Sequence, residues 1–251
     1  MYFTFAGNPI HNVDPLGNVV GVGGSKAHKN AFLARINSGK TQFKYVKGNL
    51  ELKDPKQKVE GEFASQLYEA IKNPQKIVLR LIPASKDAQT DQFYFGTVDM
   101  GDMLKGTNNI FKQNVLHIVT ERISVPDYEK KLAEDRLTEA DYNVGHDAGL
   151  LAEVKFLKEL FPKLDTHFWE EDEYKQDEVA RTHSYVFIFT DIMLIIKSKY
   201  LKADDGNWDR DNYGEVLGYS YEKVKRGDFE ELDRKKRQEF ELKRKVLNVQ
   251  Y

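Results

Sequence analysis

Proline lacks the amide hydrogen that a helix interior needs, and its ring crowds the preceding turn, so a helix must have ended before Pro126 and again before Pro162. The apolar spacing upstream of each predicts one helix over roughly Asn108 to Ile123 and a second from about Asp141 to Phe161, with charged Asp127 to Glu139 as a polar connection. Helices of this length must bury one face, and strand signals ahead of them supply a surface. Lys76 to Pro83 (KIVLRLIP) alternates with Ile77, Leu79 and Leu81 on one side, and Gln92 to Met100 (QFYFGTVDM) reads as a second strand ending near Asp99 and Asp102. Earlier, Lys44 to Lys53 alternates around Gly48-Asn49 as a hairpin does, and Glu62 to Lys72 spaces Phe63, Leu67, Tyr68 and Ile71 as a helix does. Thr182 to Leu201 is apolar strand or buried helix, Ala203 to Tyr213 a polar loop, and Phe229 to Val249 a charged, solvated helix. The expectation is an α+β fold, with a small mixed or antiparallel sheet packed on helices and a charged C-terminal helix.

This fold has to hold without covalent staples, because none of the 251 residues is cysteine. Disulfides and thiolate chemistry are excluded, and any site is built from His, Asp, Glu, Ser and backbone. Hydrophobic residues at 40% suffice for a sizeable core. Lys plus Arg total 38 against 40 for Asp plus Glu, so no whole-molecule field draws the chain onto nucleic acid or an anionic membrane. The most apolar stretch, Tyr185 to Ile196, falls short of the ~20 residues a spanning helix needs and is interrupted by Asp191, so it reads as a core element. No basic region, apolar run and small-residue cleavage site open the chain, so no secretory signal is visible and export would rely on another carrier.

The first residues differ in kind from the rest. Turn formers at Gly7-Asn8-Pro9 and Asp14-Pro15-Leu16-Gly17 are followed by glycine-rich Gly21 to Gly24, read as a hinge, which divides the chain into residues 1–24 and a domain over 25–251. An aromatic-rich segment ending in Asn-Pro-Ile-x-x-x-Asp-Pro-Leu-Gly, carried here by residues 2–17, resembles the end of the Rhs/YD-repeat core, where a β-cage terminates and a variable toxin domain begins. That resemblance implies the effector end of a polymorphic toxin, secreted or delivered into a target cell by a secretion apparatus. The partners it implies are the cage, a protein target in the recipient and an immunity protein.

The sharpest local pattern lies in the first long helix. His117 and Glu121 stand four apart and so project from one face a turn apart, a spacing that suits two ligands for one metal. On the next helix His146 and Glu153 are seven apart, two turns, while Leu150, Leu151, Val154 and Leu157 anchor it. Two helices presenting His117, Glu121, His146 and Glu153 to each other could hold Zn²⁺ with three ligands and leave a position open for water. The competing reading keeps His117 on an apolar face, its ring bonded to a carboxylate, with Glu121 paired to Arg122 or Lys112 at the surface.

The order of strand, His-bearing helix, linker and acid-bearing helix resembles zincin-like metallopeptidase domains, including toxin domains behind Rhs cores with H-E-x-x-E or H-E-x-x-H. On that resemblance His117 and Glu121 take the first-helix ligand places, and His146 or Glu153 the later one. Position 118, which holds the glutamate that deprotonates zinc-bound water in that family, is Ile118 and cannot accept a proton. Either Glu121 or Glu153 is then the base, or the site binds without catalysing. Two other classes stay open. One is an ADP-ribosyltransferase, an activity also seen behind Rhs-type cages, with Glu60-Gly61-Glu62 as its E-x-E pair; the other is a non-enzymatic interaction domain.

Remaining polar features have plainer readings. Asp99 and Asp102 cap the turn into the following helix, and Glu170 to Glu173 form a solvated acidic face. The loop around Asp204 to Asp209 misses calcium-loop spacing. Basic residues of the last helix alternate with glutamates, which argues against nucleic acid there. His28, His167 and His183 have no partner pattern.

Overall fold

The computed structural model describes residues 20–85, 90–162, 175–176, 181–187, 192–199 and 215–223. The turn-rich segment before residue 20, the acidic run at 170–173, the polar loop at 203–213 and the charged segment at 229–249 lie outside these residues.

Six strands form one mixed sheet. In chain order they are β1 (Val20–Gly23), β2 (Phe43–Val46), β3 (Asn49–Leu52), β4 (Ile77–Ile82), β5 (Asp91–Gln92) and β6 (Thr97–Asp99), arranged β2-β3-β1-β4-β6-β5. β1, β4 and β6 run parallel and the outer pairings are antiparallel. Helices α1 (Lys26–Ile36), α2 (Glu62–Lys72), α3 (Met100–Met103), α4 (Asn108–Ile123), α5 (Tyr128–Ala133) and α6 (Glu139–Leu160) pack with it. The second sheet is antiparallel, ordered β10-β9-β8-β7 from β7 (Lys175–Gln176), β8 (Arg181–Phe187), β9 (Ile192–Lys199) and β10 (Glu215–Lys223). The architecture is α+β.

β4 buries Ile77, Leu79 and Leu81 on one face, the alternation read from sequence, and the ranges of α2 and α4 match the expected helices. The hairpin β2–β3 turns at Lys47 and Gly48, both at positive φ (49° and 88°), the geometry that suits the twist of the flanking strands. Three expectations need correction. The glycine-rich stretch read as a hinge is strand β1, because Val20 and Val22 bury their side chains (0% and 5% exposed) and Val20 to Gly23 pair with Ile77 to Arg80. The strand expected over Gln92 to Met100 is split by a 3₁₀ turn at Phe93–Phe95. Gly96 closes that turn at φ 65°, where a Cβ would meet Leu132 and Arg80 below 3.0 Å. The charged connection contains α5, held by fully buried Tyr128, whose hydroxyl donates to the Phe93 carbonyl at 2.6 Å.

α4 is the central helix. It packs on α1, α2, α6 and β4, and its Phe111, Val115, Leu116, Ile118 and Val119 share one core cluster with the six-stranded sheet. α3 is capped by Asp99, whose carboxylate accepts from the Asp102 and Ser85 amides at 3.0 and 2.6 Å. Asp102 accepts from the Val216 amide at 3.1 Å and so ties this corner to β10. α4 has its own cap, Thr107.

Candidate metal centre

A helix buried on nearly every side ordinarily carries apolar residues. α4 instead buries Gln113, Asn114, Glu121 and Arg122, and buried polar groups need partners. Arg122, fully buried, turns to the sheet: it donates to the carbonyls of Gly96 and Thr97 at 3.0 and 2.9 Å and to Asp91 Oδ2 at 3.1 Å. Gln113, His117 and Glu121, spaced one turn apart, turn to α6.

α6 comes close because of glycine. A Cβ at Gly145 would lie 2.6 Å from the Glu121 carbonyl oxygen, and one at Gly149 3.0 Å from that of His117. His146 sits between these two glycines and is carried onto the same centre. Its N-terminal turn is fixed by a capping box, Thr138 with Asp141.

The geometry that results is compact. His117 Nδ1 lies 2.6 Å from Glu153 Oε1, and His117 Nε2 lies 3.1 Å from His146 Nδ1. Glu121 Oε1 is 3.7 Å from His117 Nε2 and 3.6 Å from His146 Nδ1. Glu153 Oε2 accepts from Gln113 Nε2 at 2.6 Å, and the Tyr221 hydroxyl of β10 donates to Gln113 Oε1. A chain of hydrogen bonds thus runs from the second sheet to His117. The ring of Tyr142 stacks on His146, centroids 5.0 Å apart. Beside these groups opens a pocket of about 480 Å³, whose wall also includes Asp91, Asn114 and Glu139.

Burial disfavours a charged Glu121, but the adjacent imidazoles of His117 and His146 and the positive charges of His117 and Arg122 outweigh it and take the carboxyl down to about 2. Burial would likewise hold His117 neutral; the carboxylates of Glu153 and Glu121 overrule it and keep the imidazole protonated well above its ordinary 6.5. Asp91 is pushed up to about 6 by burial and by Glu121, against the pull of Arg122.

Nε2 of His117, Nδ1 of His146 and Oε1 of Glu121 form a group that could hold a metal ion. Ligands about 2.0–2.1 Å from a tetrahedral ion stand roughly 3.3–3.4 Å apart, and the three separations here, 3.1, 3.6 and 3.7 Å, bracket that value. The other oxygen of Glu121, Oε2, is buried with no hydrogen-bond partner. A carboxylate in that condition fits a cation better than it fits the protein alone.

All four residues singled out from sequence, His117, Glu121, His146 and Glu153, meet at this pocket, and Glu121 is buried beside the histidines instead of paired with Arg122 or Lys112 at the surface. Glu153 occupies a different place from the other three. It holds the opposite nitrogen of His117, the arrangement in which a carboxylate fixes a liganding imidazole's tautomer and ring orientation. Glu60 is ion-paired to Lys40 and Lys58, and neither it nor Glu62 lines this pocket. Sequence reasoning missed Gln113, Tyr221, Asp91 and the two glycines. Gln113 was within reach, since it extends the His117–Glu121 stripe by one more turn, and Gly145-x-x-x-Gly149 is a spacing that allows close helix contact. Asp91 and Tyr221 carry no such signal. Compared with models of known protein families, with curated proteins and with solved structures, the chain finds no match.

Proposed function

We propose that the chain is the effector end of an Rhs-type polymorphic toxin and that its effector domain is a zinc-dependent hydrolase built on a pair of helices, as zincin-like peptidases are. The reading rests most on one observation: three ligand atoms from α4 and α6 are spaced for a tetrahedral ion, and the second oxygen of the Glu121 carboxylate, Oε2, is buried with no hydrogen-bond partner. Two imidazoles and one carboxylate at a pocket are the donor set of open hydrolytic zinc sites. When bound, the ion would supply a Lewis acid that lowers the pKa of water and polarises a substrate carbonyl.

The chain's own residues divide the remaining work. His117, His146 and Glu121 hold the ion, and Glu153 orients His117 while both its oxygens are engaged, by His117 and Gln113. Of the two carboxylates expected to do acid–base work, Glu153 has both oxygens engaged and Glu121 is a ligand held far below the usual carboxylate range, so neither is assigned as the base. The Rhs-like segment at residues 2–17 supports delivery into a target cell, with a protein target and an immunity protein as partners. No described helix is long and apolar enough to cross a membrane.

Metal analysis of the purified chain before and after chelation tests this. About one zinc per chain is expected, lost in His117→Ala and in His146→Ala; background metal in the untreated chain refutes the reading. Stoichiometric zinc without peptide hydrolysis would instead favour the non-enzymatic interaction domain.

A further inference from the structure

A second pocket, of about 380 Å³, lies between α2, α4 and α6, away from the metal centre. Its walls include Phe63 and Phe156 from the core and the carboxylates of Glu60, paired with Lys40, and Glu159, and two groups of positive character open into it.

The first is Lys112. Its side chain is 9% exposed, its ammonium group lies 5.3 Å from the centre of the Phe63 ring, and among the described residues no oxygen accepts from it. The stem is buried while the ammonium faces the Phe63 ring, and no carboxylate lies within ion-pair distance of it among the described residues. Burial pulls its pKa below the ordinary value, and only Glu159 opposes that, from beyond ion-pair distance.

The second is the N-terminus of α2. This eleven-residue helix starts at Gly61, which has no side chain to cap it. Glu159 Oε2 accepts the Glu62 amide at 2.9 Å, and the Ser65 amide bonds back to the Gly61 carbonyl. The amides of Phe63 and Ala64 have no acceptor among the described residues. Amides at a helix start carry a partial positive charge and point outward along the axis, which makes them donors for an anion.

We propose that this pocket binds an oxyanion, a carboxylate or phosphate group, held by Lys112 Nζ and the amides of Phe63 and Ala64. The aromatic walls fit an apolar body attached to that group. Of the two carboxylates that line the pocket, Glu60 is paired with Lys40, and Glu159, the one that acts on Lys112, sets the affinity by like-charge repulsion. The site does not depend on the metal centre, so either can fail without the other.

Isothermal titration of the chelated, full-length chain with sodium phosphate and, separately, sodium acetate, at constant ionic strength, decides the matter. At least one anion is expected to bind. Lys112→Met, which keeps the length of the stem, should weaken binding at least tenfold, and Glu159→Gln should tighten it several-fold; both effects should persist in His117→Ala. Binding of phosphate alone identifies a phosphate-bearing ligand, acetate alone a carboxylate-bearing one. Equal affinity in wild type and Lys112→Met would mean an adventitious ion only and overturn the proposal, as would no heat from either anion. If Lys112→Met does not fold, unchanged affinity in Glu159→Gln overturns it equally.

Discussion

Gly145→Ala tests whether the metal centre depends on the closeness of α4 and α6. The added methyl would stand 2.6 Å from the Glu121 carbonyl oxygen and 3.1 Å from both Glu121 Cγ and Val125 Cγ2. Ordinary contact begins at about 3.4 Å, so the helices must part by up to about 0.8 Å, or about 0.4 Å if the contact settles at 3.0 Å. Either movement exceeds the roughly 0.2 Å within which metal–ligand distances hold, and it falls beside Glu121 and His146, one candidate ligand from each helix. Stability should respond much less. Overpacking costs about 1–3 kcal/mol, and replacing glycine inside a helix returns about 1 kcal/mol. The net loss of ~0–2 kcal/mol corresponds to no more than ~8 °C in Tm for a chain of this size. Zinc affinity should fall by ~10–100-fold, the scale on which misoriented ligands are felt. The assay is competitive zinc titration against a chelating dye beside a thermal melt of the zinc-free protein, with Val144→Ala, at an exposed position, as the control. Wild-type zinc affinity in a folded Gly145→Ala would refute the reasoning, because it would mean that the ion does not bridge the two helices.

Glu153→Gln keeps the shape of the side chain but removes the charge that holds His117 Nδ1, and zinc affinity should drop ~10–100-fold with little change in Tm; Tyr221→Phe, two bonds further out, should cost less in the same titration. Ile118→Glu should not create activity and should destabilise the fold by several kcal/mol, roughly, since Ile118 is 2% exposed in the core; urea denaturation reads the loss. Asp102 is pushed up to about 6, chiefly by burial, so the folded protein keeps this proton to a higher pH than the unfolded chain, which releases it near 3.8. Its contribution is most favourable below pH 3.8 and is lost as pH rises to about 6, on the order of 1–3 kcal/mol in all. Asp102→Asn should flatten that slope in melts between pH 4 and 7.

Elements whose burial follows a single period were legible in the sequence. β4 alternates and one face of α2 is apolar, so a count of positions finds them. β1 was hidden by its glycines: four residues with two valines look like a linker until a parallel neighbour, β4, accounts for their burial. α5 was hidden by charge, because six residues with three charged side chains show no stripe, and only Tyr128 and Leu132 reach the core. β10 went unread because it is an edge strand whose pairing, along its whole length, is with β9.

Spacing finds site residues but does not assign their roles. Helical periodicity says that His117 and Glu121 share a face and that His146 and Glu153 do; which nitrogen meets which oxygen depends on how the helices cross. Here the crossing is set by Gly145 and Gly149, and it brings His146 to one nitrogen of His117 and Glu153 to the other. The same crossing explains Ile118. Successive helix residues turn by about 100°, so with His117 directed at α6, position 118 is rolled into the core cluster shared with the sheet. A glutamate there would be buried away from the pocket. Ile118 is thus what this roll of α4 requires: the position faces the sheet, and only residues three or four along from His117, such as Glu121, share its face toward α6.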